Sequence, residues 1–199
     1  MVRGLYTAYT GMTAQQKKMD VVSNNLANAS TSGFKQDGVV FKSFDEVFAI
    51  KINDPDAVGN RNIGNMTLGV SVGEVYTNFE QGSLNLTGNS NNLGIEGEGM
   101  FTVGTINEDG TFNEVYTRDG FVSRNANGEL VTKEGLYFMG EQGIINIPNG
   151  DLTVTQDGSI FVDNQRIDQI QMTGFEDYTY LKKICDKNYE MTDSCLLYT

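Results

Sequence analysis

The stretch Asn149-Gly150-Asp151-Leu152-Thr153-Val154-Thr155-Gln156-Asp157-Gly158-Ser159-Ile160-Phe161-Val162 decides the fold class. Its Asx-Gly steps supply the positive φ angles that tight hairpin turns require. The runs between and after them, Leu152–Val154 and Ile160–Val162, are short and apolar. The same arrangement recurs upstream. Further turn dipeptides are Asp109-Gly110, Asp119-Gly120 and Asn127-Gly128, and further apolar runs are Phe101–Val103, Val115–Tyr116, Leu130–Val131, Leu136–Phe138 and Ile144–Ile147. Short strands punctuated at this spacing predict a β-rich domain of hairpin-linked strands. A period of two begins near residue 67 with Leu68, Val70 and Val72, and continues through Val75, Thr77 and Phe79, then Leu84 and Leu86. It runs on to Ile170, Met172 and Phe175 and loses its turn signals around Tyr178-Thr179-Tyr180-Leu181.

The first thirty residues obey a different period. Leu5, Ala8, Met12, Gln15, Met19, Val22, Leu26 and Ala29 recur at alternating steps of three and four, with Gln15 the only polar member. This is the pattern of a helix that packs along another helix, and equally of an amphipathic helix folded onto its own domain. Gly4 and Gly11 lie in or near it, and an interior glycine weakens a helix by about 1 kcal/mol relative to alanine. Such a helix is expected to be weak alone and to pack closely when docked. Asn24, Asn25 and Asn28 form a polar patch near its end. Asparagine amides compete with the helix for backbone hydrogen bonds, so three in a turn point to partners elsewhere. Ser30-Thr31-Ser32-Gly33 ends the helix, with Gly33 suited to a left-handed position. Residues 35–66, with Asn53-Asp54-Pro55-Asp56 and Gly59-Asn60-Arg61-Asn62, read as an extended connector with flexible parts.

Composition removes several function classes. The formal net charge of -12 argues against nucleic acid as partner, because phosphate neutralisation needs clustered Lys and Arg. Lys17-Lys18 and Lys182-Lys183 read as solvated faces. The absence of His removes the usual general base near neutral pH and the commonest metal ligand. Ser-His-Asp and Cys-His catalysis are thereby excluded. Cys185 and Cys195 lack zinc-site spacing and read as free thiols in a loose tail. No apolar run approaches the roughly 18 residues of a membrane span, and the N-terminus does not read as a conventional signal peptide. No cofactor or metal is expected.

Local motifs reduce to structure. Gly94-Ile95-Glu96-Gly97-Glu98-Gly99 is glycine-rich, but strand-like Phe101-Thr102-Val103 follows it and Glu96 and Glu98 would repel a phosphate; it reads as a bend. Asn107-Glu108-Asp109-Gly110 lacks the closing Glu of a calcium loop and reads as a hairpin turn. Three glycosylation sequons begin at Asn28, Asn65 and Asn85, and chance accounts for them. Nothing singles out a pair of carboxylates for catalysis, so the sequence is read as non-enzymatic.

Two ordered blocks carry a resemblance. Tyr9-Thr10-Gly11-Met12-Thr13-Ala14-Gln15-Gln16, Met19-Asp20-Val21-Val22-Ser23-Asn24-Asn25-Leu26-Ala27-Asn28 and Thr31-Ser32-Gly33-Phe34-Lys35 resemble the N-terminal signature of flagellar rod and hook subunits. Phe79-Glu80-Gln81-Gly82-Ser83-Leu84, Thr87-Gly88-Asn89, Leu93–Phe101 and Tyr116-Thr117-Arg118-Asp119-Gly120 resemble the central domain of the same proteins. The resemblance implies a structural subunit of the bacterial flagellar basal-body rod, of the distal-rod type. A proximal-rod or hook-basal-body sibling is the near alternative. An extracellular glycan-binding or adhesive β domain, using Tyr76, Phe79, Tyr116 and Tyr137, is the distant one. It further implies polymerisation with other copies and with neighbouring rod and hook proteins, export through the type III flagellar apparatus, and no membrane insertion. In such proteins the N-terminal helix pairs with a C-terminal helix, which this chain is expected to lack.

The expectation is thus a mainly β protein with an N-terminal α-helical arm. The arm spans 1–34, the connector 35–66, the β domain 67–177 and a truncated or divergent tail 178–199. The assembly interface is expected to comprise Leu5, Ala8, Met12, Gln15, Met19, Val22, Asn24, Asn25, Leu26 and Asn28. Without a partner helix, the arm is expected to bury too little apolar surface to order itself.

Overall fold

The computed structural model describes residues 2–51, 61–107, 111–150, 152–192 and 197–198. They form two compact units, one of Met1–Ala29 with Gln36–Asn78 and one of Ser30–Lys35 with Phe79–Thr199. The architecture is mainly β with one α-helix, as the two periods predict.

In the first unit, helix α1 (Val2–Ala27) packs on a two-stranded ribbon. The ribbon is built from β1 (Asp37–Ser43) and β4 (Val70–Thr77), while β2 (Val47–Lys51) and β3 (Arg61–Met66) form a second two-stranded sheet. β1 pairs antiparallel with β4, from Asp37↔Thr77 to Ser43↔Val70, with a bulge at Val40/Phe41. β2 pairs with β3, from Val47↔Met66 to Lys51↔Arg61. Residues 35–66, read from sequence as a connector, therefore carry three strands, and the strand that opens the expected β domain closes this ribbon. Local periodicity misses the pairing because the partners lie far apart in the chain. The turn signals at 53–60 lie outside the described residues. An isolated two-stranded ribbon is marginal in water, and α1 supplies the missing cover along one side.

The second unit holds the expected hairpin-linked strands. Its principal sheet runs β15 (Leu181–Lys183), β16 (Asn188–Met191), β6 (Phe112–Thr117), β5 (Met100–Ile106), β9 (Tyr137–Gly140), β8 (Leu130–Val131) and β7 (Ser123–Arg124). β10 (Gly143–Ile144) pairs with β9, while β14 (Met172–Phe175) pairs with β5 and with β17 (Leu197–Tyr198). A smaller sheet orders β11 (Leu152–Val154), β12 (Ser159–Val162) and β13 (Gln165–Gln169). The predicted turns at Asn127-Gly128 and Asp157-Gly158 join β7 to β8 and β11 to β12, with φ of 93° and 74° at the glycines. Asp109-Gly110 lies outside the described residues.

Alternation along β5 feeds two cores. Phe101 and Val103 face one with Val122, Leu130, Phe138, Ile145, Ile160 and Val162. Met100 faces the other with Tyr116, Phe175 and Tyr189. Two sequence expectations are corrected. Leu84 and Leu86 belong to no strand and are 55% and 102% exposed, because the chain from 78 to 91 runs outside both sheets. Residues 178–191, expected as tail, form a 3-10 turn (Tyr178–Tyr180) and the β15–β16 hairpin, with Tyr189 wholly buried in the second core. Cys185 lies exposed beside that hairpin as a free thiol, and Cys195 lies outside the described residues.

Candidate assembly surface

Helix α1 has two chemically distinct faces, offset by two residues. A two-residue step turns an α-helix by about 200°, so rows in that relation lie on opposite sides. One row is Thr7, Thr10, Ala14, Val21, Asn25 and Asn28, small or polar and directed at the ribbon. Thr10 and Ala14 are buried, and Val21, Asn25 and Asn28 half-buried. Thr7 Oγ1 donates to Leu68 O at 3.4 Å. Gly69, at φ 121°, lies so close under Thr10 that a Cβ there would strike its hydroxyl. Asn25 closes the lower end: its Nδ2 donates to Asp37 O at 2.8 Å and its Oδ1 accepts from Asp37 N at 3.0 Å. Small side chains let helix and ribbon approach; the Asn25 amide satisfies backbone groups at the start of β1.

The opposite row is the apolar one singled out from sequence. Leu5 is 72% exposed, Met12 and Met19 65%, Val22 51% and Leu26 75%. Ala8 and Gln15 lie exposed on the same row, and Asn24 is exposed near its end. The structure thus brings Leu5, Ala8, Met12, Gln15, Met19, Val22 and Leu26 onto one open face. It sets Asn25 apart on the docked face and turns Asn28 partly inward, where its Nδ2 donates to Asn24 O at 3.2 Å. The structure shows the helix folded onto its own unit along one face and leaves the apolar row open on the other. The arm, expected to be disordered on its own, is a continuous helix, because the ribbon gives it a surface to lie on. Thr7, Thr10 and Ala14 were not singled out; their signal is a second row of small residues at steps of three and four.

Large apolar side chains left in water forgo about 1.5–3 kcal/mol each relative to full burial. Five of them in one row form a surface suited to another helix rather than to a small ligand. Among the described residues no group of His, Cys, Asp and Glu could hold a metal ion, and no helix is long and apolar enough to cross a membrane. Two of the four aromatics of the adhesive reading pack into the β unit, and Tyr76 is 50% exposed. Tyr116 is buried, and Phe79 stacks on Tyr178 with ring centroids 4.7 Å apart. Tyr76 lies against Gly38, and Tyr137 is half-buried.

A helix closed on its own ribbon along one side and bare and apolar along the other, joined to a fully packed β unit, defines a structural assembly protein. The family model for flagella basal body rod proteins matches residues 5–35, and that for the flagellar hook protein FlgE/F/G D1 domain matches residues 94–162. The flagellar basal-body rod protein FlgG of Buchnera aphidicola subsp. Schizaphis graminum is 32% identical over 204 residues, covering 98% of this chain and 76% of that protein. The flagellar hook-basal body complex protein FlhO of Bacillus subtilis is 30% identical, covering 92% and 72%. The flagellar hook protein FlgE of Helicobacter mustelae is 36% identical, covering 70% of this chain and 31% of that protein. The chain belongs to the flagellar basal-body rod protein family, and it is a structural rod subunit of the flagellar basal body.

Proposed function

We propose that this subunit polymerises through the open face of α1, with Leu5, Ala8, Met12, Gln15, Met19, Val22 and Leu26 packing against helices of neighbouring copies and of adjoining rod and hook proteins. The exposure of that row, directly opposite a face already closed on the ribbon, carries the reading. Asn24 is exposed but stands two residues from both Val22 and Leu26, so it projects away from this row; Asn25 and Asn28 act from within the subunit. The role is mechanical, without catalysis. Coverage favours a rod over a hook subunit, 76% of a rod protein against 31% of a hook protein, and the distal-rod type is part of the same proposal. Export through the flagellar type III apparatus is part of the same proposal.

Glutamate at Leu26 tests it. L26E places a charge on an open face and should leave the folded subunit within about 0.5 kcal/mol of wild type in denaturant unfolding. In cells it should abolish rods and swimming, because a charge buried between helices without a partner is strongly unfavourable. Normal motility in cells carrying both L5E and L26E refutes the interface.

A further inference from the structure

The segment Ser30–Lys35 is the crossover between α1 and β1, yet it packs as part of the β unit. Gly33 adopts a φ of 73°, and a Cβ on it would come within 2.6 Å of Asp119 N and 2.7 Å of Arg118 C. The crossover backbone therefore lies flat against the Arg118-Asp119 backbone, an approach only glycine permits. On either side of Gly33 the side chains are fastened individually. Ser32 Oγ donates to Asp119 Oδ1 at 3.2 Å. Lys183 Nζ sits 4.4 Å from the centroid of the Phe34 ring and donates to Lys35 O at 3.5 Å. The buried Lys35 Nζ donates to Phe79 O at 3.1 Å and Glu80 O at 2.7 Å.

Asp119 is the group on which these segments converge. Its side chain is 7% exposed, and Lys187 Nζ donates to its Oδ2 at 2.5 Å. Its own turn is held rigid: Phe121 N donates to Oδ1 at 3.3 Å, and Gly120 lies directly beneath the Leu93 carbonyl. Next to it the Arg118 guanidinium donates to the carbonyls of Gly99, Gly97 and Ile95 and to Gln81. Burial alone would lower the Lys187 pKa, but the hydrogen bond and charge of Asp119, aided by Glu134, outweigh it and hold the pKa above the ordinary lysine value. Burial, with the Arg118 guanidinium adding to it, holds Lys35 below that value. The two carbonyls that Lys35 bonds keep it in place against that cost.

We propose that Asp119 is the latch of a clasp: it fastens the crossover Ser30–Lys35 to the β unit, so that the crossover opens and closes as one element and does not serve as a free linker. The clasp joins the last residues of one matched family block to the interior of the other, which gives Thr31-Ser32-Gly33-Phe34-Lys35 a role inside the subunit, separate from polymerisation.

Amide hydrogen exchange on the full chain tests this, comparing wild type, D119N and S32A. D119N keeps the side-chain shape and removes the charge that holds Lys187. It should speed exchange of amides 31–36 about tenfold or more, with amides 101–105 and 137–140 at wild-type rates. S32A should speed the same crossover amides about threefold and add nothing further in the D119N background, since both act through one carboxylate. Wild-type crossover rates in both single variants overturn the latch, as does full additivity in the double variant. Should D119N unfold the β unit, S32A and K187Q decide: wild-type crossover rates in both refute the proposal, and selective loosening of residues 31–36 supports it.

Discussion

The two units handle apolar surface in opposite ways. In the β unit, Phe138, Met100, Ile145, Ile160, Val103 and Tyr189 show essentially no exposed surface. In the helical unit, Ala14 is the single fully buried apolar residue among those described, while the five large apolar side chains of the open row of α1 stand in water. The β unit is finished as a folded object; the helical unit has ordered its backbone and left its principal hydrophobic gain unrealised. That division is what a subunit needs if it must be folded before assembly and committed only by assembly.

Substitutions can break or sharpen the contrast. The largest effect is expected at Phe138, whose ring packs edge-on to Phe101 at 5.9 Å in the first core. F138A should destabilise the β unit by about 3–5 kcal/mol in denaturant unfolding; a loss under 1 kcal/mol would mean that this core is loosely packed. A smaller effect, of opposite sign in two measurements, is expected at Gly11. A Cβ there meets nothing within 4 Å in the subunit, so G11A should stabilise α1 by about 1 kcal/mol through helix propensity and raise helicity in circular dichroism. If neighbouring helices use that bare spot for close approach, the same change should slow rod assembly. A gain in both helicity and assembly would show that Gly11 is no contact point. Smallest is the effect of L26E on the lone subunit, near zero by the same denaturant measurement.

What the sequence revealed and what it hid follow from the range of the interactions. Asn127-Gly128 and Asp157-Gly158 were legible because a turn is a local decision made by residues that tolerate positive φ. The turn at Asp163-Asn164, with φ of 50° and 68°, escaped notice because it reaches the same conformation without glycine. The pairing of Asp37–Ser43 with Val70–Thr77 was illegible, since no local period reports a partner so far along the chain. The apolar row of α1 is legible as a row from its steps of three and four. Its exposure became visible only when Thr10 and Ala14 were seen facing the ribbon. The type and spacing of Asn25 point to the interface, but its amide is bonded to the backbone of Asp37 in the next element. In sequence Gly33 reads as a helix cap. The helix ends at Ala27, and the positive φ of Gly33 serves the contact with Asp119.

The methionines offer the most direct test of the central claim, that the open face of α1 is covered by assembly. Met12 and Met19 lie on that face at 65% exposure each, and Met100 is fully buried in the β unit. Oxidation to the sulfoxide follows exposure, so mass spectrometry after a brief peroxide pulse reads all three at once. In isolated subunits Met12 and Met19 should oxidise readily while Met100 resists. In assembled rods both should become as resistant as Met100, whereas equal reactivity of Met12 and Met19 in rods and in free subunits would contradict the account.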